Sequence, residues 1–242
     1  MHLHKLAFMK ISILILVFAL SFQLASAQNQ WFKLYEDSAS LVNDGKAITA
    51  AFTKDIQKIK PTLTFNINTR LNTTPYLIFY WGENGERTAN LPKWDQVIEP
   101  QKQFFYQVAG SEAAGKDMFR LFFNGFYLPH ELGHALEHIT KGNLKGSYQE
   151  EYFANTVGML WWKKQGKSKE LKDCYEFAKK VWAKLPNPIP AGSTIEEFFT
   201  ANYQKASEDP FVYGYMQFKQ FIQLYEDKSL PDFDTYIKLY LK

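Results

Sequence analysis

The segment HELGHALEH, His130 to His138, holds three of the chain's five histidines, and the other two, His2 and His4, stand at its start. On a helix, residues four apart project from one face a turn apart, so His130 and His134 can aim two imidazoles at a single divalent ion. Glu131 lies beside the first of them, where a carboxylate can take the proton of an attacking water. Those residue types at that spacing suit metal-assisted hydrolysis. His138 does not complete the set. It lies about 12 Å from His130 along a helix axis at 1.5 Å per residue, too far for both rings to meet one small ion. It is expected to support the site from behind or, by preference, to be exposed.

The element that carries these residues must be a packed helix. Leu128, Leu132, Leu136 and Ile139 give it an apolar side. Gly133, inside the motif, costs about 1 kcal/mol of helix propensity relative to Ala, which is tolerated where another element approaches closely. Pro129 either begins the helix or kinks a longer one that starts near Lys116. A third ligand has to come from elsewhere, and EEYFAN, Glu150 to Asn155, is its natural source. This stretch opens the next helix after KGNLKGS, whose Gly142 and Gly146 permit a tight reversal. Glu151 and Asn155 share a face there, Ala154 lets two helices come close, and Glu150 is the rival carboxylate.

His-Glu-x-x-His is the two-ligand and general-base arrangement of zinc peptidases. The metzincin branch is excluded, because Glu137 and Thr140 stand where it requires Gly and His. HELGH followed after a short loop by EYFAN resembles the gluzincin branch of zinc metallopeptidases, over residues 126 to 160. That resemblance implies one Zn²⁺ held by His130, His134 and Glu151, with Glu131 as general base and Asn155 orienting a ligand histidine. It implies a zincin-like α+β fold, with a small sheet packed on a predominantly helical body, and hydrolysis of peptide or protein substrates. It also asks for a residue that stabilises the oxyanion, for which Tyr213, Tyr215, Tyr148 and Tyr152 are candidates. The alternatives are a zinc hydrolase of a non-peptide substrate and a non-catalytic binding protein that keeps the zinc fold.

Around this centre the chain divides coarsely. Apolar positions Leu41, Ile48, Ala51, Phe52, Ile56 and Ile59 predict a helix over 38 to 60, ending at Pro61. TLTFNIN (62 to 68) alternates and PYLIFYW (75 to 81) is continuously apolar, so both predict strands. GENGERTANLPKWDQVIEP (82 to 100) is rich in breakers and polar groups and predicts a long surface loop. QFFYQVA (103 to 109) is a third strand candidate and could be the edge that binds substrate by β-addition. Beyond Lys116 the pattern is helical, with segments near 117 to 141, 147 to 165, 168 to 184, 194 to 206, 210 to 226 and 232 to 241. The Pro-rich PNPIPAG (186 to 192) reads as a connection inside one domain.

Composition narrows the partners. Lys5 and Lys10 precede an apolar run from Ile11 to Leu20 that ends in ASA (25 to 27), the pattern of a cleaved signal peptide, residues 1 to 27. Met9 as the true start would still leave a complete signal. The mature part, 28 to 242, is one domain expected to be periplasmic or extracellular, with no stable membrane span. The formal net charge is +3 over the whole chain, and two of the basic residues fall in the leader, which leaves the rest near neutral and argues against nucleic acid as a partner. Cys174, the single cysteine, cannot form an internal disulfide, so core packing or metal must hold an exported chain of this kind.

Overall fold

A first helix, α1 (Ser38–Ile59), starts where the Asp37 side chain accepts the Ser40 N–H at 2.8 Å and stops two residues before Pro61. The computed structural model to which it belongs describes residues 31–142 and 144–242; the expected leader lies outside them. Residues Phe32 to Lys242 form one unit, an α+β arrangement of three short strands and nine α-helices among the described residues.

The strands are β1 (Asn68–Leu71), β2 (Phe79–Glu83) and β3 (Glu86–Leu91), in the order β1-β3-β2, with β1 parallel and β2 antiparallel to β3. Only the end of TLTFNIN and the end of PYLIFYW enter the sheet. The central strand arises inside the stretch expected to be a loop. Asn84 and Gly85 both take positive φ, 50° and 83°, and join β2 to β3 as a two-residue hairpin. The expectation failed because β3 buries polar side chains. Thr88 and Asn90 are 0% and 2% exposed, and Asn90 Nδ2 donates to Phe79 O at 3.2 Å while its Oδ1 accepts from Arg70 Nε at 2.8 Å. α1 lies directly on this sheet: a Cβ on Gly45 would come within 2.3 Å of Leu91 Cδ1.

QFFYQVA is not a strand. It lies in α2 (Glu99–Ala109), begun with Pro100 in its first turn and ended by left-handed Gly110 at φ 96°. Buried Phe105, Val108 and Ala109 follow the helical period, which the local aromatic density had masked. α3 (Glu112–Leu121) comes next, then a π turn, Phe122–Phe126, and α4 (Tyr127–Lys141). The remaining helices are α5 (Tyr148–Lys164), α6 (Ser168–Trp182), α7 (Ile195–Glu208), α8 (Pro210–Glu226) and α9 (Phe233–Tyr240), all near their expected places. Cys174 on α6 is buried and free. No helix of the described residues is long and apolar enough to cross a membrane.

Candidate metal centre

α4 owes its placement to the break before it. Asn124 and Gly125 leave helical geometry, and Asn124 O accepts the Phe32 N–H at 2.9 Å. Pro129 falls in the first turn of α4. Its missing N–H is the one that would have bonded Gly125 O, so the kink and the proline sit where each tolerates the other. α3 and α4 are thus two helices, with the His-Glu-x-x-His motif in the second.

α4 and α5 then press together at small residues. A Cβ on Gly133 would stand 3.0 Å from Ala154 Cα and 3.2 Å from Val157 Cβ, and one on Gly158 would stand 3.2 Å from His130 N. This close approach carries Glu151, at the start of α5, across to the two histidines. His130 Nε2 and His134 Nε2 are 3.1 Å apart, and Glu151 Oε2 is 3.4 Å from the first and 3.6 Å from the second. These three residues could hold a metal ion. A tetrahedral ion with bonds near 2.0–2.1 Å spaces its ligand atoms about 3.3 Å apart, and the three observed separations bracket that value. Glu150, the rival, turns away: its Oε1 accepts the Lys145 N–H at 3.2 Å.

A second layer surrounds the ligands. His130 Nδ1 lies 2.9 Å from Asn155 Oδ1. Asn155 Nδ2 donates to Gln217 Oε1 and Gln220 Oε1, both at 2.8 Å, and Gln217 Nε2 donates to Glu151 Oε2 at 2.6 Å. The other oxygen of Glu151 accepts the Tyr203 hydroxyl at 2.5 Å. Tyr213 packs against Tyr203 with ring centroids 6.5 Å apart. Burial pushes the phenols of Tyr203 and Tyr213 up, and the Glu151 charge adds to it, so both stay protonated donors. Burial alone would push Glu151 up as well, but the neighbouring imidazoles outweigh it and hold this carboxyl well below the ordinary range. For His134 burial acts downward and the Glu151 carboxylate wins, pushing it up to about 9. A cation in place of that proton meets the same carboxylate.

Glu131 is buried between the centre and the sheet. Its Oε2 accepts the Tyr80 N–H of β2 at 2.7 Å, and burial, the largest influence, raises its pKa. β2 is an edge of the sheet and runs beside α4, so the strand edge next to the motif is β2 and not QFFYQVA. A cleft of about 770 Å³ opens from Glu131 and His130, walled by Phe79, Phe104, Phe105, Phe123, Tyr213 and Phe218 among others. Among the described residues no Lys or Arg lines it.

His138 is half-buried, sharing a 2.9 Å hydrogen bond between its Nδ1 and the Tyr80 hydroxyl. Of the four candidate tyrosines, Tyr213 alone lines the cleft. Tyr215 packs on Trp182, with centroids 5.4 Å apart, and Tyr148 stacks with Tyr152 at 6.3 Å. Sequence reasoning missed Tyr203, Gln217 and Gln220. The glutamines had a weak signal, amides at a spacing of three in the mostly apolar run YMQFKQFIQ, which Gln223 shares although it is exposed. Tyr203 had none among 14 tyrosines. No protein-family model, curated protein or solved structure matches this chain.

Proposed function

We propose that the chain is an exported zinc metallopeptidase of the gluzincin type. The observation that carries this is the convergence of His130, His134 and Glu151 at ligand spacing beside a buried Glu131 that opens on an apolar cleft. The donor set of two imidazoles and one carboxylate suits zinc, and three protein ligands are the complement of a catalytic rather than a structural site. Zinc there would supply Lewis-acid polarisation of a carbonyl and acidify water.

The residues of the chain divide the remaining work. Glu131 accepts the proton of the attacking water and returns it to the leaving amine. The Tyr80 N–H steadies that carboxylate without crowding its second oxygen. The β2 edge gives an extended peptide a strand to lie along. Tyr213, a protonated donor on the cleft wall, faces the region where negative charge develops on the attacked carbonyl. The aromatic walls exclude water and accept a bulky apolar side chain next to the scissile bond, and the lack of a cation leaves nothing to recognise an acidic one.

The test is turnover of an unbiased peptide library by the zinc-loaded chain lacking its leader. Cleavage sites should be flanked by an aromatic or large aliphatic residue. Glu131→Gln should keep the zinc and lose at least about a hundredfold in rate, the lower end of what a positioned acid/base contributes. Equal turnover by parent and variant, with contaminating proteases excluded, defeats the mechanism. A zinc-loaded parent inert on every peptide defeats the substrate assignment and returns the fold to non-peptide hydrolysis or binding.

A further inference from the structure

The two glutamines of α8 lie one shell beyond anything the hydrolytic reading uses. We propose that Gln217 and Gln220 fix the proton of His130 on Nδ1, acting through Asn155, and so keep the Nε2 lone pair turned toward the metal centre. This rests on the metal-site reading for its purpose, but the tautomer itself can be measured with no metal present.

The orientation follows from groups that can only accept. The Glu151 carboxylate faces Gln217 at 2.6 Å, so the amide end turned toward it is the NH₂, and Gln217 Oε1 is left facing Asn155. The Tyr148 carbonyl faces Gln220 at 3.1 Å, so that amide also presents its NH₂ there and its oxygen to Asn155. Two independent anchors therefore place two oxygens against one end of Asn155, which must be Nδ2. Its Oδ1 is then the atom 2.9 Å from His130 Nδ1. An amide oxygen cannot donate, so the imidazole nitrogen must carry the hydrogen. A neutral ring holding its proton on Nδ1 has a bare Nε2, and Nε2 is the atom that meets His134 and Glu151.

Flipping Asn155 would set its oxygen against the two oxygens of Gln217 and Gln220. Asn155 and Gln220 are 0% exposed and Gln217 is 4%, so each mismatch would be a buried one, where unmet polar groups cost most. His134 offers the contrast. Its Nδ1 is buried with no hydrogen-bond partner among the described residues, so the protein dictates the tautomer of only one of the two ligand histidines. Gln217 and Gln220 are on this account positioning residues: both touch the orienting Asn155, Gln217 also touches the Glu151 carboxylate, and neither touches an imidazole.

The experiment is ¹⁵N NMR of the histidine rings in the metal-free full chain, together with zinc affinity by chelator competition. The parent should show His130 protonated on Nδ1. Gln217→Met/Gln220→Met, near-isosteric but without acceptors for Asn155, should populate the Nε2–H form and bind zinc at least tenfold more weakly, within the range for orienting partners of metal ligands. Adding Asn155→Asp to that double variant should restore the Nδ1–H tautomer, because a carboxylate accepts from Nδ1–H whichever way it turns. A merely space-filling role would not be rescued in this way. A parent with Nε2–H overturns the proposal with no variant needed, as does a folded double variant with parental tautomer and affinity. Failure of peptide turnover, by contrast, would leave the tautomer result standing.

Discussion

Gly133→Ala tests whether the spacing of two helices sets the metal centre. The new Cβ would meet Ala154 Cα at 3.0 Å, Val157 Cβ at 3.2 Å and Ala154 Cβ at 3.4 Å. Carbon atoms rest about 3.5–4.0 Å apart, so α5 must retreat from α4 by roughly 0.7 Å. Such overpacking costs about 1–3 kcal/mol. Replacing glycine inside a helix returns about 1 kcal/mol, so the net change in stability is about 0–2 kcal/mol. For a chain of this size that lowers the melting temperature by at most about 8 °C.

The metal should feel more than the fold does. Glu151 sits one turn before Ala154 and moves with it, while the histidines stay on α4. The Glu151 Oε2 separations, now 3.4 and 3.6 Å, would widen to roughly 4 Å, where a tetrahedral set wants about 3.3 Å. Zinc affinity should drop at least tenfold, by analogy with other disturbances of ligand orientation. Calorimetry of the metal-free protein and chelator competition give the two numbers separately. An Ala variant that binds zinc as the parent does would refute the claim that this contact positions Glu151.

Glu151→Ala should abolish stoichiometric zinc binding, whereas Glu150→Ala should change it less than a few-fold, since Glu150 Oε1 caps Lys145 N on the far side; zinc content after dialysis decides, and a reversed order would move the ligand to Glu150. Asp55 should govern part of the acid response. It joins α1 to α5 through Trp161 Nε1 at 3.2 Å and Lys164 at 3.3 Å, and pairs with Lys58 of its own helix at 3.1 Å. Burial pushes its carboxyl up, but the two lysines outweigh that and hold it below the ordinary value. A depressed folded pKa means stability that is fully present above the unfolded carboxyl range, about 3.9, and is lost as pH falls through the folded value. Asp55→Asn should cost about 1.5–3 kcal/mol near neutrality, and the gap between variant and parent should close in thermal melts taken toward pH 2. A gap that stays constant with pH would show that the ionised form contributes nothing.

Local patterning made most of the helical body legible. α1, α6, α7, α8 and α9 each carry an apolar face, α5 is buried on all sides from Phe153 to Trp162, and several carry a side-chain cap, such as Asp37, Ser147 and Thr194. The sheet was not legible in the same way. β3 is central and yet reads ERTANL, because its buried Asn90 is satisfied by Phe79 O and Arg70 Nε on the flanking strands and by Thr88 two residues back, which no alternation of polar and apolar residues reveals. QFFYQVA failed for the converse reason. Aromatic residues favour strands on average, but Pro100 and Gly110 bracket this run as a helix, and punctuation outweighed propensity.

The centre divides along the same line. His130, Glu131 and His134 are local in sequence, so a helical period is enough to bring them to one face, and Glu151 needs only one more helix and a glycine at the crossing. The groups that hold them come from much further away. Tyr203 is 52 residues from Glu151, and Gln217 and Gln220 are 62 and 65 from Asn155. A glutamine's chemistry depends on which end of its amide faces which neighbour, and that is decided by the partner. YMQFKQFIQ could therefore announce three amides at a spacing of three and no more. Only the crossing of α8 over α5 turns two of them into acceptors for Asn155. The candidate metal ligands and the groups that contact them thus sit at different levels of the fold: the ligands follow from a sequence pattern, while their supporting contacts exist only where three helices meet.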